Sequence, residues 1–141
     1  MPRNRNKVRQ TRQMKMDLEF GTWNTRTLLK PGALINLTSQ LQKYNLMITA
    51  VKKTKWTGVE IWDTKTHTIF SSGKNKSAKE GGVAFVVDRS IRVNVMDFIP
   101  VNERICMLRL RAKFFNISII IIYAPTEDKE ERIKDQFYAK L

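Results

Sequence analysis

Three ammonium groups beside an indole, Lys52, Lys53 and Lys55 next to Trp56, are the residues best placed to do chemistry on a polyanion. Such a patch can hold phosphate oxygens while the ring stacks a base, although charge runs of this kind are more often solvated surface. Asn24 and Tyr123 offer an amide and a phenol at the ends of apolar stretches; their bland alternatives are a turn cap and a core-edge tyrosine. One His (His67) and one Cys (Cys106) leave little else. A single cysteine permits no internal disulfide, and one residue of each type does not make a Cys/His zinc centre. Any Ser–His or Cys–His pair would have to use His67, whose Thr-His-Thr-Ile-Phe context reads as an early strand, with the histidine structural or exposed.

The elements that must position these groups read in order along 141 residues. Residues 1–16 carry Arg3, Arg5, Lys7, Arg9, Arg12 and Lys15 with no acid and little that is apolar, so a disordered basic arm is expected. Residues 17–141 are expected to form the ordered part. Residues 18–23 read as a strand. Leu34, Leu37, Leu41 and Tyr44 recur on one face of a helix opened by Pro31 and Gly32, and residues 46–51 form a second strand. Strand-like runs follow at 66–71, 82–87, 91–98, 105–113 and 116–123. In the fourth of these, Cys106, Leu108, Leu110 and Ala112 alternate with Met107, Arg109, Arg111 and Lys113, which predicts one buried face. The fifth, Asn116-Ile-Ser-Ile-Ile-Ile-Ile-Tyr123, is apolar almost throughout and predicts a strand covered on both faces. Asp128 with Glu131, then Ile133, Phe137 and Leu141, read as a capped amphipathic helix.

With 26 Lys+Arg against 13 Asp+Glu the net charge is +13, so DNA or RNA is the first partner to expect. The apolar run at 117–124 is far short of the roughly 20 residues a membrane helix needs, and the basic N-terminus has no apolar stretch behind it, so an intracellular, non-membrane protein is expected. The arm reads equally as a nucleic-acid contact, a nuclear import signal or a leader without a selected role.

Three stretches carry a family resemblance: Gly21-Thr-Trp-Asn-Thr-Arg-Thr-Leu28, Lys53-Thr-Lys-Trp-Thr-Gly58 and Tyr123-Ala-Pro-Thr126, each following a strand. Ser72-Gly73, Gly81-Gly-Val-Ala84 and Glu103-Arg-Ile105 keep the same order. The sequence resembles the N-terminal half of the endonuclease/exonuclease/phosphatase superfamily, and within it the endonuclease domains of LINE-type retrotransposons and their host-captured relatives. The resemblance implies an α/β (α+β) fold: the N-terminal half of a four-layered α/β sandwich of the DNase I-like kind, with a mostly antiparallel mixed sheet and flanking helices. Residues 17–141 would then be a partial domain, with one sheet's inner face left bare and prone to aggregation or in need of a partner. Oligomeric state stays open.

By the same resemblance Asn24 and Tyr123 are retained site positions; from charge and the neighbouring indole, Arg26, Lys52, Lys53, Lys55 and Trp56 are expected nucleic-acid contacts. Family members cleave phosphate esters with Mg²⁺, a hard ion that takes carboxylate and phosphate oxygens. Lys53 stands where the family motif has its metal-binding Glu, while Thr54, Lys55 and Trp56 hold the register. A dication ~4 Å from an ammonium is repelled by roughly 8 kcal/mol at an effective dielectric near 20, before relaxation. The family's downstream Gly-Asp-x-Asn and Ser-Asp-His segments do not occur among these residues. The expectation is therefore a truncated, inactive relative of a Mg²⁺-dependent DNA endonuclease with no cofactor of its own. A non-catalytic nucleic-acid-binding module is the alternative.

Overall fold

The computed structural model describes residues 19–25, 28–75 and 81–124. The basic arm, Arg26 and the helix expected from Asp128 onward lie outside them. Nine regular elements and one 3₁₀ turn follow in chain order: β1 (Phe20–Asn24), α1 (Ala33–Lys43), β2 (Ile48–Lys52), β3 (Val59–Asp63), β4 (His67–Ser72), β5 (Val83–Asp88), the 3₁₀ turn (Arg89–Asn94), β6 (Val95–Pro100), β7 (Ile105–Arg111) and β8 (Asn116–Ile122). They build one five-stranded sheet, ordered β1-β2-β5-β4-β3, and one three-stranded sheet, β6-β7-β8. Only β1 and β2 run parallel, joined through α1; every other pairing is antiparallel. The fold is mixed α/β, as the sequence predicts.

Two cores hold it. Phe70, Phe85 and Val87 of the larger sheet pack with Cys106, Leu108, Leu110 and Ile121 of the smaller one. Phe98 reaches across, its ring centroid 5.4 Å from that of Phe70 and 6.5 Å from that of Phe85, the latter edge to face. On the opposite side of the larger sheet, Leu37 and Leu41 of α1 cover Val51, Ile69, Ala84 and Val86, with Trp23, Trp56 and Trp62 at the margin. The inner face expected to be bare is thus largely covered by the smaller sheet. What stays open is a cleft of about 310 Å³ lined by Phe20, Thr22, Ile48, Ala50, Phe85, Ile119 and Ile120, among others.

Four expectations need correction. The strand expected over 91–98 begins with the 3₁₀ turn, capped by Asp88 Oδ1 accepting from Ser90 N–H; Ile91 is buried but Val93 is exposed, so their alternation is not that of a strand. β3 was not expected: it is an edge strand whose Val59 and Ile61 face solvent, so no core-facing alternation marks it. β8 is buried on one face only. Ile121 is 3% exposed while Ile120 is 56% exposed, because among the described residues nothing lies over the outer face of the smaller sheet. Tyr44 caps the end of α1 and is exposed rather than sharing the stripe of Leu37 and Leu41. The expected alternation of β7 holds, with Cys106, Leu108, Leu110 and Ala112 buried.

The turn after β2 is fixed by backbone. Lys53 and Lys55 both adopt left-handed conformations, φ 64 and 65, which non-glycine residues enter only when their surroundings hold them. Between them Thr54 is buried: its N–H donates to Gly82 O (3.2 Å), its carbonyl accepts from Leu28 N–H (3.0 Å), and its Oγ1 accepts from Trp56 N–H (3.2 Å). Lys55 N–H donates to Gly81 O at 2.8 Å. Gly82 has φ +91, and a Cβ there would run into Thr54 Oγ1. Gly82 before β5 is therefore required by the turn that carries the lysines, while a Cβ at Gly81 would meet Glu103.

His67 is a core residue. Its ring is fully buried, Nδ1 lies 2.7 Å from Thr66 Oγ1, and burial pushes the imidazole below its ordinary pKa against the opposing pull of Asp88. Cys106 is buried too, its thiol pushed up to about 12 by desolvation, so it is not poised for reaction.

Two predictions follow from these contacts. Below pH 6.5 the unfolded chain protonates His67 while the folded state resists, so stability falls with falling pH. Urea midpoints should drop between pH 7 and 5.5, and His67→Gln should flatten that dependence; an unchanged slope would contradict it. Gly32 has φ +81 with open space around it, so Gly32→Ala should cost only its backbone strain, about 1–2 kcal/mol. Gly82→Ala adds a steric clash and should cost about 1–3 kcal/mol more, read by thermal melting.

Candidate nucleic-acid interface

One end of the space between the two sheets gathers groups far apart in sequence. Asn24 and Lys52 are register partners at the ends of β1 and β2, and strand alternation puts both on the face toward the smaller sheet. Thr25 N–H donates to Lys52 O at 3.3 Å, continuing the parallel pairing past the strand end. Lys53 then turns so that its Nζ lies 6.0 Å from the ring centroid of Tyr123, the residue directly after β8. The Arg104 guanidinium carbon is 5.1 Å from the same ring. Tyr123 thus has cations over its ring from both Lys53 and Arg104, each within the usual range of a cation–π contact.

Arg104 is 7% exposed, a costly burial for a charge. Its ion pair is long, Nε to Glu103 Oε2 at 3.8 Å. The backbone around it is well fixed. Arg104 N–H and Ile105 N–H both donate to Asn102 Oδ1 (2.8 and 2.9 Å), while Ser72 Oγ of β4 donates to Asn102 O at 2.6 Å. Gly82 N–H donates to Glu103 O, and Tyr123 N–H to Arg104 O. One short segment, 102–104, therefore ties the larger sheet, the lysine turn and the end of β8 together.

The sequence-derived residues divide. Asn24, Lys52, Lys53 and Tyr123 converge on this end. Lys55 and Trp56 turn away, to a cleft on the helix side of the larger sheet. Arg26 lies outside the described residues. Glu103 and Arg104 were not singled out as site residues, although the Glu103-Arg-Ile105 stretch was among the motifs carrying the resemblance.

The donor set suits an oxyanion better than a hard cation. Mg²⁺ takes oxygen ligands, with one or two carboxylates. Here the Glu103 carboxylate is paired with Arg104, and Lys53 and Arg104 bring positive charge to the Tyr123 ring. Among the described residues no three His, Cys, Asp or Glu side chains come close enough to share a metal ion. Among the described residues, too, no helix is long and apolar enough to cross a membrane.

No protein-family model matches the chain. It is 32% identical over 122 residues to craniofacial development protein 2 of Bos taurus, covering 86% of this chain and 20% of that protein. With the Tragulus javanicus protein of the same name it shares 31% identity over 122 residues, again 86% of this chain and 21% of the relative. The chain thus spans about one fifth of the length of these relatives. Among solved structures, the endonuclease domain of TRAS1, a telomere-specific non-LTR retrotransposon, superposes with a TM-score of 0.49 at 14% identity, covering 83% of this chain and 49% of that one. By sequence, residues of this chain are thus similar to about one fifth of craniofacial development protein 2.

Proposed function

We propose that this chain is a catalytically silent, retrotransposon-derived relative of a Mg²⁺-dependent DNA endonuclease. The observation that carries the proposal is the Lys53 ammonium, held with Arg104 beside Tyr123 where the resemblance calls for a metal-binding carboxylate. An ammonium and a guanidinium raise the cost of bringing in a dication, and the phosphodiester then lacks the charge neutralisation that attack by water needs. Asn24 and Tyr123 remain as retained positions of the ancestral site, without a cofactor to serve.

A second reading has its own support. The same cations that repel a metal attract phosphate, and a strongly basic chain with ordered lysines on both sides of one turn fits a non-catalytic nucleic-acid-binding module. An intracellular, nuclear site of action goes with either reading.

Supercoiled plasmid incubated with the protein and Mg²⁺ or Mn²⁺ should stay supercoiled; metal-dependent nicking that persists through purification and is lost in Asn24→Ala would overturn the silent reading. Duplex affinity should fall with salt, log against log, with a slope of about −0.9 per phosphate neutralised. A flat salt response, or no binding at all, would remove the binding-module reading.

A further inference from the structure

The lysine turn has a second side. Lys55 and Trp56 line a cleft of about 320 Å³ together with Leu29, Thr57, Glu60, Trp62 and Ser71. That volume is at the lower end of the range for small-molecule sites. Trp56 and Trp62 meet nearly at right angles, 72° between planes with centroids 5.0 Å apart, and both pack on the margin of the α1 core. Glu60 and Ser71 are cross-strand partners on β3 and β4. Ser71 is 1% exposed, and its Oγ has no hydrogen-bond partner. A buried hydroxyl left unsatisfied is costly, and one that lines a cleft is served by a polar ligand edge.

We propose that this cleft takes an unstacked nucleobase of single-stranded nucleic acid, with Trp56 and Trp62 as its walls and Ser71 and Glu60 facing the base edge. The proposal rests on the nucleic-acid-binding reading and adds the part of the ligand that is not phosphate. Every base has a π-face, so aromatic walls accept bases without strong sequence preference. The Ser71 hydroxyl both donates and accepts, and the Glu60 carboxylate accepts from an exocyclic amine such as that of cytosine or adenine. Lys55 at the rim supplies a cation for the attached phosphate. Lys53, two residues away, lies over Tyr123 on the other side of the turn, so a strand crossing the turn meets a cation on each flank. Paired indoles with a carboxylate also suit a quaternary ammonium. The Lys55 ammonium in the lining and the net charge of +13 count against a cationic occupant.

The test compares single-stranded oligodeoxycytidylate with an abasic strand of the same length, read by binding affinity and quenching of tryptophan fluorescence. The intact strand should bind about tenfold tighter and quench more strongly. Trp62→Leu should erase that difference while leaving abasic binding unchanged, and Ser71→Ala should lower intact-strand affinity severalfold; thermal melts confirm that both variants fold. Equal binding of the two strands overturns the base pocket and leaves the nucleic-acid reading standing. Failure of both strands to bind overturns both. Quenching by tetramethylammonium in place of the oligonucleotide assigns the cleft to a cation and refutes the proposal.

Discussion

Packing of Phe98 against Phe70 and Phe85 is the contact on which the candidate site depends. It locks the smaller sheet over the larger one, and with Cys106 and Ile121 buried in the same core it fixes where β8 ends. Tyr123 follows β8 directly, so the inter-sheet core decides that a phenol from residue 123 meets an ammonium from residue 53. The Ser72–Asn102 hydrogen bond adds a polar tie at the same end, beside the Arg104 that reaches the ring.

Electrostatics then separate this arrangement from a metal site. Charge in a partly buried space acts through a lower dielectric than water, so each cation counts for more than it would on an open surface. Two of them beside Tyr123, with Glu103 offsetting one, leave a locally positive site. The left-handed conformations of Lys53 and Lys55 direct the two basic groups to opposite sides of one turn, and Gly82 makes room for it. Such a backbone device serves a phosphate grip or a carboxylate equally well, since it sets direction and not charge.

Much of the fold was legible because burial writes period-two patterns. Cys106, Leu108, Leu110 and Ala112 alternate with polar neighbours and are buried as expected. Leu37 and Leu41 mark the helix in the same way at a longer period. Where burial is shallow the pattern fails. β3 offers only a half-buried Trp62 among exposed residues, and the isoleucines of β8 reflect strand preference at an edge as much as cover. Motif register pointed to Asn24, Lys53 and Tyr123, and to Arg104 through Glu103-Arg-Ile105 without telling which ring it meets 19 positions on. Trp62 and Ser71 gave no signal, because a cleft forms, and a hydroxyl loses its partner, only through tertiary packing.

The central claim is that an ammonium occupies the place where a dication would bind. Titration with Mn²⁺, followed by paramagnetic broadening of backbone amide signals, tests it at residue resolution in wild type and in Lys53→Glu. The account predicts no saturable broadening at residues 52–56 and 123–124 of the wild type, and its appearance there once the carboxylate is restored. Saturable broadening of those amides in the wild type would contradict it.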